Sequence, residues 1–448
     1  MFKHFLRVVL VIVIIAAALL FYLSRPDKAK LSVAAVSGPS PTIGKPRNHL
    51  IPTVDIADAV GWSGGNTPVA ARGLAVKAFA GGLDHPRWLT VLPNGDVLVA
   101  ETNAPPSHGG GVFGWFEHHI MSKAGAGVPS ANRITLLRDT NHDGVADQRS
   151  VLLANLNSPF GMALMGGYLY VGDNDALVRV PFTPGETKID AKPEKVIDLP
   201  AGGEHWTRNV LAGPDGRSLF VAVGSSTNIA DKGIDAEDHR ANILQVFPDT
   251  KTRRIYAAGM RNPNGMAYEP QSGRLWAVVN ERDMMGSDLV PDYLTDVELG
   301  DNFGWPWYYW GGYPDKRVDP ENPALQQYSK RPAYAMGPHV AALGLAFAKG
   351  AQLGPNFVNG AFVGEHGSWN RSPMSGYKVV FVPFGPNGFP SKAQPTDVLT
   401  GFLSADGSEA YGRPVGVAIG GDGALLVADD VGNTIWRVSA ARQASEQP

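Results

Sequence analysis

The sequence contains no cysteine. Disulfides, thiolate metal sites, iron–sulfur clusters and cysteine nucleophiles are therefore excluded at once. It also lacks a charge excess: 39 basic residues stand against 42 acidic ones, a formal net charge of −3. A chain this close to neutral has no sequence-independent hold on a phosphate backbone, so nucleic acid is not an expected partner. Several motifs are missing as well. No GxGxxG opens a helix after a strand, GxxxxGK[ST] and HExxH do not occur, and the GxSxG match GWSGG (61–65) lies in a Gly- and Pro-rich stretch with no strand–helix pattern around it. Nucleotide-binding, lipase-type and zinc-protease readings have no support. Long apolar runs are absent too, with a single exception at the N terminus, so the chain is not a multispanning membrane protein.

That exception covers residues 8–23, preceded by Lys3 and Arg7. It reads as a signal anchor or signal peptide with its basic end cytoplasmic. The small residues Ala16–Ala18 lie inside the run, and the nearest cleavage point, at Ala34-Ala35, comes late. Residues 1–25 are thus expected to form an uncleaved membrane anchor, with Arg25 snorkelling outward, or else a cleaved signal. Either case exports the rest. Residues 26–75, rich in Pro, Ser, Gly and Ala, read as a partly disordered tether. The expected location is the inner membrane, with the bulk of the chain in the periplasm.

What the sequence has in quantity is turn residues, 53 Gly and 35 Pro. From residue 76 one pattern recurs six times: a polar residue, an apolar strand, a Gly-containing turn and a second strand. Its copies are residues 86–102, 159–174, 208–224, 261–281, 340–366 and 413–430, with turns such as PNG, PDG, QSG and GDG. Alternating apolarity with these turns predicts β-hairpins. Six units that cannot cover their own faces predict an all-β fold, a closed six-bladed β-propeller over residues 76–440, preceded by the anchor helix. In such a ring the residues just before each first strand line one rim. Here they are Arg87, Asn157, His205 with Arg208, Arg261 with Asn262, His339, and Arg413. So many cations predict an anionic ligand at the centre.

Individual groups add chemistry. His205, beside Glu204, can serve as a general base. Arg261 can stabilise an oxyanion, and Asn262 can hydrogen-bond a carbonyl. Glu281, Asp283 and Asp288 lie in one loop and offer hard oxygen ligands suited to calcium. The run DTNHDGVAD (139–147) resembles a calcium loop without its bidentate Glu. The aromatic run 301–315 can either stack on a flat ligand or cover a blade edge.

The runs GGEHWTRNVLAGPDG, AAGMRNPNGMAYEP, DNFGWP and GRPVGVAIGGDG are similar to those of the glucose/sorbosone dehydrogenase family, six-bladed propellers that use pyrroloquinoline quinone (PQQ) and Ca²⁺. In length and N-terminal anchor the chain resembles the family's membrane-bound, L-sorbosone-oxidising branch. The resemblance implies that His205, after Glu204 and before Gly213-Pro214-Asp215, is the catalytic base. It implies that Arg261 polarises the quinone carbonyl with Asn262 beside it, that Arg371 and Arg413 bind PQQ carboxylates, and that His339 contacts the cofactor. Calcium would sit at Glu281, Arg282 and Asp283, where glucose-oxidising members offer Gly-Pro carbonyls. Those members also carry a Gln where this chain has Leu156-Asn157. The implied activity is oxidation of an aldose or sugar aldehyde, L-sorbosone to 2-keto-L-gulonate in the first instance. Electrons would pass to a membrane quinone or a cytochrome of the respiratory chain. Two other readings stand beside it: a calcium-dependent lactonase-type hydrolase, and a non-catalytic propeller that binds an envelope protein.

Overall fold

The structure, a computed structural model, describes residues 2–23, 27–47, 53–106 and 122–441. Its body is six four-stranded antiparallel sheets, the blades of a propeller. Blade one runs from Pro86–Val91 to Gln148–Leu153, blade two from Met162–Met165 to Glu194–Asp198, and blade three from Arg208–Ala212 to Thr252–Ala258. Blade four runs from Asn262–Tyr268 to Tyr334–Pro338, and blade five from Ala342–Phe347 to Thr396–Thr400. Blade six joins the C-terminal strands Pro414–Ile419, Leu425–Asp429 and Thr434–Ala440 to Leu74–Ala80 from the other end of the chain. The N-terminal strand thereby closes the ring.

The expected hairpins are all present, and their turn glycines Gly95, Gly167, Gly216, Gly273 and Gly423 have φ between 63° and 88°. That left-handed region suits glycine because it has no Cβ. Inner strands of neighbouring blades converge on the axis. A Cβ at Gly344 would collide with the Val415 carbonyl and one at Gly161 with the Val210 backbone, so only glycine permits this approach. Between blades the faces interdigitate in apolar layers, such as Trp276, Leu294, Tyr334, Val363 and Phe384 between blades four and five.

Residues Phe2–Leu23 form the apolar helix, and within it His4–Tyr22 is long and apolar enough to span a membrane. Arg25 lies outside the described residues. The tether expectation needs correction, because the described parts of 26–75 are bound to the propeller. Gly38 bridges Ala335 of blade four, Val69–Ala70 adds a fifth strand to blade five, and Trp62 donates its indole N–H to Asp429 at 2.7 Å. Most of these contacts use backbone groups or single polar side chains, which leave no hydrophobic periodicity to read. The Ala34-Ala35 pair lies in the short helix Val33–Val36, whose Val36 is buried.

Candidate active site

Antiparallel pairing puts the residues before each inner strand at the same end of the ring as those after each second strand. That end, the mouth, gathers two polar constellations, each centred on an aspartate.

The first surrounds Asp283. Its carboxylate accepts from Arg261 Nη2 at 2.9 Å and Asn370 Nδ2 at 2.8 Å, and it lies 3.3 Å from His339 Nδ1. Its backbone N–H donates to Asn228 Oδ1 at 2.9 Å, and Arg261 Nε donates to the Asn228 carbonyl at 3.3 Å. Burial would raise the Asp283 carboxyl, but Arg261 and then His339 hold it below the usual carboxylate range. Burial would lower the His339 imidazole, but bonding to Asp283 raises it instead. His339 Nε2 also meets the Gly286 carbonyl at 3.1 Å.

His205 faces the same space, and its Cβ and the Asn262 Oδ1 both lie against Gly224. Its Nδ1 is 2.9 Å from the Ser225 carbonyl. A carbonyl only accepts, so we assign the proton to Nδ1, and Nε2 carries the lone pair. Burial and then the Arg261 charge push the imidazole down to about 3, which keeps it neutral at physiological pH. Two buried arginines hold its loop. Arg208 donates to the carbonyls of Pro200, His205 and Thr207, and Arg240 to those of Ala201 and Gly202.

The second constellation surrounds Asp430. Its Oδ2 accepts from Arg87 Nη1 at 2.6 Å and His366 Nε2 at 2.8 Å, with His85 Nε2 at 3.5 Å. Burial would raise this carboxyl, but His366, His85 and Arg87 hold it down. Burial takes His85 down to about 4 and His366 to about 3. The Arg87 guanidinium lies 5.7 Å from the Trp206 ring centroid, so the two constellations adjoin through the neighbour of His205.

The structure therefore brings His205, Arg261, Asn262, Asp283 and His339 together. Arg413 stands beside the second group, donating to the carbonyls of His366 at 3.0 Å and Gly367 at 2.9 Å. Three expected site residues turn elsewhere. The Arg371 guanidinium is bound by the Ser287 and Pro373 carbonyls, and its neighbour Asn370 reaches Asp283 instead. Arg282 is wholly buried, bonded to the Pro306 and Tyr308 carbonyls, and Glu281 accepts from it. The aromatic run 301–315 offers Arg282 the Pro306 and Tyr308 carbonyls, and Asn302 bridges Ala258 on the outer strand of blade three, so the run covers a blade edge. Among the described residues no three His, Asp or Glu side chains converge as a metal site. In the 139–147 loop, Asp139 and Asp143 accept backbone N–H groups of that same loop.

The cation ring is neutralised in part by the chain itself, through Asp283 and Asp430. Sequence reasoning missed both Asp430 and His366, although each immediately follows the second strand of a hairpin. Reading strand ends as well as strand beginnings would have found them.

The donor set still suits a flat polyanion. Arg87, Arg261 and Arg413 outnumber the two aspartates, the buried Arg87 Nε is a donor without a partner, and Asn262 Oδ1 and Asn370 Oδ1 are unpaired acceptors that can meet a ligand's N–H or O–H. Such orphans at a mouth are places for ligand atoms.

The sequence matches the TrAA12-like family over residues 68–298 and 313–441. It is 25% identical over 437 residues to the pyrroloquinoline quinone-dependent pyranose dehydrogenase of Coprinopsis cinerea, covering 84% of this chain and 55% of that protein. This chain thus spans about half the length of that relative. It is 29% identical over 339 residues to the aldose sugar dehydrogenase YliI of Escherichia coli, covering 70% of this chain and 82% of that one. A calcium structure of the Trichoderma reesei carbohydrate-active enzyme family AA12 superimposes with a TM-score of 0.66 at 20% identity, over 84% of this chain and 97% of that chain. That likeness shows the fold.

Proposed function

The chain belongs to the TrAA12-like family of glucose/sorbosone dehydrogenase-like propellers, and from that premise we propose that it is a PQQ-dependent dehydrogenase of sugars. Its substrate class is an aldose or sugar aldehyde, and L-sorbosone, giving 2-keto-L-gulonate, is the first to test. The named relatives act on pyranose and aldose sugars, which supports the wider class. One observation carries the reading. A neutral His205, with its Nε2 lone pair available, faces the space shared with Arg261 and Asn262.

The residues' roles follow from their partners. Arg261 is fixed on one edge by Asp283 and the Asn228 carbonyl, leaving Nη1 without a partner among the described residues. That nitrogen can donate to an oxygen on which charge develops. Asn262 would bond the cofactor's polar edge, while Arg413 and Arg87 would meet its carboxylates. When bound, PQQ supplies an ortho-quinone that takes up a hydride from the substrate carbon. His205 Nε2 accepts the proton of the substrate hydroxyl as that hydride leaves, and Nδ1–H stays on the Ser225 carbonyl throughout. Anionic charge beside Arg261 would offset the field that depresses His205, making it a stronger base in the loaded site. For an aldehyde the hydrate supplies the hydroxyl, and the product is a carboxylic acid.

Calcium fits less well. The Glu281 and Arg282 side chains are turned away, and Asp283 is engaged on both oxygens. Backbone carbonyls of this turn remain as ligands, and no step is assigned to a metal.

The test is reconstitution of purified protein with PQQ and Ca²⁺. Reduction of a dye acceptor is followed with L-sorbosone, D-glucose and other aldoses. Activity is expected only with PQQ, and His205→Ala is expected to lose roughly 2–4 orders of magnitude in rate. Lactone hydrolysis without quinone would instead favour the hydrolase, and an unchanged His205→Ala variant the binding role.

A further inference from the structure

We infer that the segment after the N-terminal helix clamps the mouth of the propeller toward the bilayer, so that its electron acceptor is a lipid-dissolved quinone. The inference rests on the dehydrogenase reading for the acceptor, but its geometry stands on this chain's own contacts.

The helix ends at Leu23, and the next described residue is Asp27. Asp27 is already docked: the Ser287 N–H donates to its carboxylate at 2.6 Å, and Ser287 Oγ donates to its carbonyl at 2.9 Å. The following residues repeat the attachment. Ala29 N–H donates to the Ser372 carbonyl at 2.8 Å and Lys30 N–H to Asp288 at 2.9 Å. Arg47 returns to bind Asp27 at 2.9 Å, Asp288, and the Met285 carbonyl at 3.0 Å. Every propeller group in this set belongs to loop 281–290 or loop 366–377. Those two loops also deliver Asp283 and Asn370 to the site. Gly286, whose carbonyl meets His339, immediately precedes Ser287.

Covalent geometry then limits where the mouth can be. Consecutive Cα atoms are about 3.8 Å apart, so four steps from Leu23 to Asp27 reach at most about 15 Å. A helix of this length and apolarity placed across a membrane therefore holds the docked face, and not the opposite one, within that reach of its end. Exposed Lys28 and Lys30 lie at the same point and can meet lipid phosphates. Oxidation of a hemiacetal to a lactone releases two electrons and two protons. One quinone takes up both pairs and becomes a quinol, without leaving the bilayer to collect them.

The absence of native cysteine makes a direct test straightforward. Lys232 and Lys251 are both exposed and both in blade three, Lys232 in its mouth loop and Lys251 in the turn at the other end. Full-length K232C and K251C, each labelled with a fluorophore, are reconstituted in vesicles containing doxyl-labelled lipids. Quenching of the Lys232 position and not of Lys251 is expected. Equal quenching, reversed quenching, or recovery of a shortened soluble chain would overturn the clamp. In the same vesicles loaded with PQQ, sugar is expected to reduce an embedded ubiquinone analogue, and reduction of soluble cytochrome c alone would overturn the acceptor. Should PQQ confer no activity, the quenching contrast still decides the orientation.

Discussion

At the scale of single residues, the site is organised by two carboxylates, each meeting one arginine and one or two histidines. Asp430 lies between Arg87, His85 and His366, and one of its oxygens has no partner. Replacing a buried carboxylate by an amide leaves the guanidinium it served uncompensated, which costs about 3–5 kcal/mol when both partners are desolvated. Asp430→Asn is therefore expected to lower stability in urea unfolding by an amount near that range. Part of the loss should return when PQQ is added, because an incoming carboxylate can take over Arg87. No recovery would place Arg87 outside the cofactor site. Arg208 works differently. It has no carboxylate partner among the described residues and spends its donors on carbonyls of the loop that carries His205. Its planar fork, rather than its charge, is what the loop uses.

At the scale of elements, blade six depends on a strand from the far end of the chain. Leu74–Ala80 pairs with Thr434–Ala440 along most of its length, and it buries Phe79 and Ala80 against blade one. Without that strand, an apolar edge of blade six would be exposed to pairing with other molecules. A chain lacking residues 2–80 is expected to aggregate on size-exclusion chromatography, whereas one lacking only 2–23 should elute as a folded species. An intact, soluble 81–448 fragment would show that closure is dispensable. The docked segments 27–47 and 53–62 are a second device of this kind, and they bind both mouth loops and strand residues such as Ala335 and Asp429. They were illegible in sequence because hydrogen bonds from backbone groups impose no pattern on side chains.

At the scale of the whole molecule, buried titratable groups act in opposite senses. His85, His205 and His366 lie near 4, 3 and 3 when folded, below the ordinary histidine value of 6.5. The unfolded chain binds more protons there, so their stabilisation is present above about pH 6.5 and is lost as pH falls through 3–4. Asp173, Asp292 and Glu365 are raised chiefly by burial, to about 7, 7 and 8. Their contribution is full below the ordinary carboxylate range and is lost as pH rises through 7–8. The two sets oppose each other in between. The cofactor-free protein should show a plateau in Tm from about pH 4 to 6.5 with a fall on either side. A Tm that climbs steadily to pH 9 would contradict the burial of Glu365. By itself the sequence determined the six hairpins, their turns, the all-β ring and the positions of His205, Arg261 and Asn262 at its rim. Each of these is encoded by neighbours in the chain, as strand alternation and turn chemistry. Only the tertiary structure decided that Asp283 and Asp430 neutralise the rim, that Arg282 and Arg371 turn away, that Asn370 and His366 turn in, and that the N-terminal segment docks on the mouth. Those outcomes join loops from different blades, and their side-chain directions exist only once the ring has closed.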